Sequence, residues 1–268
     1  MKSNNAFFLL CFLFCSLDAF SQIDIVTDYD NRPELIARVK QVDEFIHRFN
    51  FNHQKIDIAT LNVNSRAEMI PLLIDYKYAK QQPQKVNSFI QSSLQNELLS
   101  FYDDDWYAVV KCEGVYRNKN VRMDLVLQVE TFKNHSSKWT LVGAYAPFLN
   151  VEADCTDTNK LISPSNNEVG FLGLNRVFAD PKNIGAYTPE NYQFDYLSIL
   201  LHEVKLGNFK FTQTLYSKYY FTKIQDWVFV LEHFNREGFN SGWLISEVIA
   251  VKEKDKKQFL YDKIQLKK

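Results

Sequence analysis

The sequence predicts an α+β protein built as two tandem units, each with helices packed on a curved antiparallel sheet. Three observations predict it. Apolar residues recur at helical spacing near the start of the chain, two-residue alternation then takes over, and the same order returns in the second half. The composition is globular, with 46% hydrophobic residues and only 8 Gly and 7 Pro among 268 residues. That length holds one large domain or two of common size.

The chain opens with Lys2 and the apolar run "AFFLLCFLFCSL" (6–17), followed by Ala19 and Ser21. This is the pattern of a secretory signal peptide over 1–21, cleaved before Gln22. The run is shorter than the roughly 20 residues of a membrane span. An uncleaved anchor is the alternative. Cys11 and Cys15 lack the small-residue context that lipid attachment needs. The expected location is therefore periplasmic or secreted, with no transmembrane segment after cleavage.

The first unit is expected over 22–150. Leu35, Val39, Val42, Ile46 and Phe49 share one helical face. Ser65 and Glu68 form a capping-box pattern before "MIPLLIDYKYA", where Pro71 forces a turn or kink. Val86, Phe89, Ile90, Leu94 and Leu98 mark another helix. "WYAVVKC" (106–112) then reads as a strand. In "VRMDLVLQVE" (121–130) Val121, Met123, Leu125, Leu127 and Val129 face one way, with Val126 alone out of pattern, which predicts a one-sided strand. "WTLVGAYAPF" (139–148) is its return.

Residues 151–168, rich in Asn, Ser, Asp and Pro, are the expected linker. The second unit, 169–268, has a short helix at 171–178 and a longer one at 191–205. Strands follow at 208–221, 226–234 and 242–251, the first with Phe209, Phe211, Leu215, Tyr219 and Phe221 on one side. The Lys-rich end reads as a solvated final element.

The segment "VLQVETFKNHSSKWTLVGAYA" lies over "VFVLEHFNREGFNSGWLISEVIA" if the second turn carries two extra residues. Glu130 then matches Glu232, Phe132 matches Phe234, Trp139 matches Trp243, and Leu141 matches Ile245. This predicts an internal repeat in which each Trp opens a strand and covers the core beneath the helices.

On the helix at 33–50 and the strands ending in "KWTLVGAYAPF", the first half resembles the nuclear transport factor 2-like (cystatin-like) cone fold. The second half resembles it more weakly, through the helix at 191–205 and "WVFVLEHFNREGFNSGWLIS". The whole chain also resembles uncharacterised secreted proteins of gut bacteria. These resemblances imply tandem cone-like units and an extracytoplasmic location, and bring no functional residues. Enzymes with this cone place an Asp–His or Tyr–Asp pair in the pocket, and neither pair can be matched here.

A net charge of -1 offers no basic excess for a nucleic-acid partner. After cleavage Cys112 and Cys155 are the remaining cysteines, and in an oxidising compartment they are a candidate disulfide, with two unpaired thiols the alternative. Gly-rich phosphate loops, CxxC pairs, HExxH and GxSxG are all missing from the sequence, so no cofactor or metal is expected. Three consecutive Asp residues in "DDDW" (103–106) cannot converge on one cation and read as a solvated feature. His233 lies in an apolar strand, with Glu232 on the opposite face.

The chemistry-bearing candidates near strand ends are Trp139, Tyr145, His233, Arg236 and Trp243, expected as ligand contacts. The expectation is a non-catalytic envelope module binding a small ligand or a partner protein. The alternatives are a hydrolase or isomerase using His233 with a carboxylate, and an adaptor that forms a homodimer through its sheets.

Overall fold

The structure, a computed structural model, describes residues 41–55, 63–96, 98–133, 136–149, 173–189, 194–237 and 240–264, with Ile162 and Phe171. The expected signal peptide, most of the expected linker and Cys155 lie outside these residues. Among the described residues four helices come first: α1 (Val42–Phe49), α2 (Arg66–Leu72), α3 (Tyr76–Gln81) and α4 (Pro83–Gln95). They lead into β1 (Trp106–Tyr116), β2 (Lys119–Thr131) and β3 (Ser137–Tyr145). Two further helices, α5 (Leu174–Ala179) and α6 (Tyr196–Lys205), precede β4 (Phe209–Phe221), β5 (Trp227–Phe234) and β6 (Gly242–Ala250). A last helix, α7 (Lys256–Ile264), follows. The mixed α+β class is as the sequence predicts.

Local chemistry explains the helix boundaries. Ser65 accepts from the Glu68 backbone N–H at 3.2 Å, while the Glu68 carboxylate reaches back to the Asn64 N–H at 2.9 Å. Pro71 is accommodated near the end of α2, and the chain breaks there. Asp75 then caps α3 by accepting from the Tyr78 N–H at 3.0 Å.

The two strand groups form one antiparallel sheet in the order β3-β2-β1-β4-β5-β6. Each group is a meander, and they join where β1 pairs with β4. Val129 faces Trp139 across the first hairpin, and His233 faces Trp243 across the second. In each return strand the third residue after the Trp, Val142 or Ser246, is bulged out of register. The hairpins therefore correspond at a constant offset of 104 positions, from Val129 to His233 as from Trp139 to Trp243. The two extra turn residues of the sequence alignment are not there. A slip of two leaves every side chain on its own face, so alternation cannot detect it.

Leu127 and Leu231 correspond under that offset, and their partners in the inner strands are Ala108 and Tyr219. Ala108 and Tyr219 pair with each other. A local two-fold therefore passes through this pair at the centre of the sheet.

The helices cross over this axis. The aromatic core of Phe45, Phe49, Phe89, Phe221 and Phe229 sets α1 and α4 chiefly against β4, β5 and β6. Leu200 and its neighbours set α6 on Cys112, Met123 and Ala144 of the first meander. Each half thus lays its helices largely on the other half's strands. Gly114 in β1 leaves room for the ring of Phe209 in β4, with which a Cβ would collide.

The opposite face is covered as well. Val126, Val228 and Val230 are buried there with Leu260 and Ile264 of α7. Lys256 is 5% exposed and donates to the carbonyls of Thr222 and Ile224. The expectations of a one-sided β2 and a fully solvated end are corrected accordingly: Val126 is out of pattern because both faces are covered. β4 also departs from expectation. Its register skips Thr212 and Leu215, and Phe211 and Leu215 are exposed.

Candidate functional site

The site begins with what holds α1. Its apolar residues Phe45, Ile46 and Phe49 are buried, leaving Asp43 and His47 on the other side. Asn50 anchors the end of the helix by donating to the Leu99 carbonyl at 2.7 Å and accepting from its N–H at 2.9 Å. Arg66 donates to the Phe49 carbonyl at 3.0 Å and the Asn96 carbonyl at 3.5 Å, so one cation serves the C-terminal ends of α1 and α4. Burial lowers its guanidinium from the ordinary value, and its Nη2 has no hydrogen-bond partner. These contacts fix α1 and the 98–102 segment as two walls.

Between them lies a crevice of about 780 Å³. Its floor is aromatic. Trp106 is fully buried, stacked on Phe221 at 5.1 Å and met edge-on by Phe101 at 5.2 Å and Trp139 at 4.8 Å. Tyr219 lies 5.6 Å from Trp106, and Trp243 lies 5.1 Å from Tyr219. The two Trp residues of the repeat are thus joined by a row of rings across the middle of the sheet. Such contacts are worth about 0.5–1.5 kcal/mol each beyond their buried area. The indole N–H of Trp106 has no acceptor. A buried donor left unmet costs about 1–3 kcal/mol. Gln41, Asp43, His47, Asn52 and Lys55 add polar groups to the lining, and Trp139 and Tyr102 remain 37% and 66% exposed.

A second cavity, about 590 Å³, sits in the fork where β4 and β5 part. Those strands pair only from Tyr219 to Phe221. His233, Glu232 and Trp243 line it, with Lys218 bonded to Glu232 at 2.9 Å. A fork is open from both faces, which explains how neighbours of opposite orientation share it. His233 also meets the Trp243 ring edge at 5.2 Å.

The five sequence candidates are therefore dispersed. Trp139 lines the crevice, and His233 and Trp243 line the fork. Tyr145 stands at the far end of β3 against Tyr196, with ring centroids 5.7 Å apart. Arg236 pairs with Asp75 and lies over the rings of Tyr76 and Phe234. Asn240, in a left-handed conformation at φ 57°, accepts from the Tyr76 N–H and donates to the carbonyls of Leu72 and Ile74. The turn between β5 and β6 thus clasps the α2–α3 junction, where Asp75 and Leu73 also bond the backbone of Ile245.

Cys112 is buried and donates to the Val110 carbonyl at 3.5 Å; burial raises its thiol above the ordinary value. Two carboxylates of "DDDW", Asp103 and Asp105, take Lys223 at 3.2 and 3.3 Å. Among the described residues no group of three His, Cys, Asp or Glu side chains could hold a metal ion, and no helix is long and apolar enough to cross a membrane. Sequence reasoning missed Trp106 and the polar side of α1. The signal was present, because Asp43 and His47 are four residues apart on a helix whose other face is apolar.

No family model, curated protein or solved structure matches the chain.

Proposed function

We propose that the protein is a non-catalytic binding module of the cell envelope, and that its ligand enters the crevice between α1, the 98–102 segment and Trp139. The observation carrying this reading is an open crevice floored by aromatic rings, with Trp139 partly exposed at its wall and the polar side chains of α1 beside it. Small-molecule sites are concave and set apolar or aromatic surface beside polar groups that fix orientation, and this crevice has both. The leading apolar run of 6–17 supports an extracytoplasmic location. The paired meanders with crossing helices support reading each half as a copy of one cone-like unit.

Thermal unfolding with a panel of saccharides, nucleosides, amino acids and fatty acids tests the reading. A ligand raises the midpoint by mass action, and Trp139→Ala removes the rise. A panel with no effect, or a rise unchanged in Trp139→Ala, sinks it.

A second reading rests on the fork, where His233 shares a cavity with Glu232 and Lys218. A hydrolase or isomerase would use His233 as a base. It would lose turnover in His233→Ala with its stability retained, and ligand binding confined to the crevice would argue against it.

A further inference from the structure

We propose that the ligand of the crevice is a neutral saccharide, with one sugar ring laid against Trp139 and its hydroxyls meeting the polar side chains of α1 and the turn that follows it. The inference rests on the crevice being the ligand site, and it adds the chemical class.

Charge is the first argument. The lining holds one carboxylate, Asp43, and one ammonium, Lys55, which offset each other. A phosphorylated or strongly anionic ligand calls for clustered Arg or Lys, and a lipid chain calls for a lining without polar side chains. Neither describes this wall. Shape is the second. A pyranose presents a flat face of C–H groups, and a half-exposed indole such as Trp139 offers the matching flat apolar surface.

Hydrogen-bond chemistry is the third. A sugar hydroxyl both donates and accepts. Gln41 carries a donor and an acceptor on one planar group, Asn52 keeps its amide donor while its oxygen takes the Gln54 N–H at 3.2 Å, Asp43 accepts, and the ring nitrogens of His47 add further polar groups. Asn50 is excluded from this set, because both ends of its amide are engaged by Leu99.

The test reads the four indole N–H resonances of the full chain by nitrogen-15 correlation spectroscopy, assigned with Trp→Phe variants. Trp227 is an internal control, because its N–H already donates to Ser92 at 3.1 Å. Glucose, galactose, mannose, N-acetylglucosamine, maltose, lactose and cellobiose are added singly to concentrations above about 1 mM. The expected result is that at least one shifts Trp139, with Trp106 following through its ring contact with Trp139 at 4.8 Å, and leaves Trp227 in place. Trp139→Ala should then weaken binding about tenfold or more with the Trp227 resonance unmoved. If nucleosides, amino acids or fatty acids shift Trp106 and Trp139 and no saccharide does, the class is wrong and the crevice reading stands. If nothing shifts them, both fall. A saccharide that moves only Trp243 binds elsewhere and overturns the proposal.

Discussion

Trp139 and Trp243 hold the same place in two hairpins of equal length and equal bulge, yet their turns have different neighbours. The second turn is fastened to the α2–α3 junction through Asn240 and Arg236. At the first, Trp139 is left partly exposed at the wall of a crevice. A repeated backbone therefore sets where the rings stand, and what docks on each turn decides which cavity each ring lines. In the turn before Trp243, Arg236 and Asn240 are taken up by this architecture.

The largest expected effects compare the two cores. Phe229 is stacked on Phe221 at 4.8 Å and on Phe49 at 5.7 Å beneath the N-terminal helices. Phe229→Ala should cost about 3–5 kcal/mol in urea unfolding, and Leu200→Ala beneath α6 about 2–3 kcal/mol. Equal losses would remove the distinction between a large core over the second meander and a small one over the first.

The turns come next. Asn240→Gly keeps the left-handed backbone and removes three hydrogen bonds to the α2–α3 junction, so it should cost about 2 kcal/mol. Ser136 occupies the equivalent position in the first hairpin with a shorter side chain, and Ser136→Gly should cost less than Asn240→Gly. A loss at Ser136 as large as that at Asn240 would mean that both turns are fastened.

The smallest effect concerns α6. Glu203 accepts from the Asn208 amide at 3.0 Å, and this bond, opposed by burial and aided by Tyr116 and Arg117, holds its carboxyl below the ordinary value. A depressed carboxyl contributes stability above the ordinary carboxylate range and loses it as pH falls through the folded-state value. The melting-temperature gap between wild type and Glu203→Gln should therefore be present at pH 7 and close below about pH 4. A gap constant across that window would contradict the assignment.

Much of the fold was legible because single-element patterns carry it. Val86, Phe89 and Ile90 announced α4, Ser65 with Glu68 announced the start of α2, and the alternation around Met123 announced β2. What was not legible depends on pairing between distant elements. The pairing of Ala108 with Tyr219, which merges the meanders, leaves no local trace, and neither does the crossing of the helices. Val126 was visible as an exception, and its meaning required α7 on the far face. Of the site, Trp139 was found as the exposed ring of a hairpin. Trp106 was seen only as a strand start, because an unmet N–H is a property of its surroundings.

The most direct test titrates the small-molecule panel against wild type, Trp139→Ala and Trp243→Ala, following tryptophan fluorescence. The account predicts a saccharide response in wild type that is retained in Trp243→Ala and lost in Trp139→Ala. A response lost in Trp243→Ala and kept in Trp139→Ala would move the ligand to the fork between β4 and β5 and contradict it.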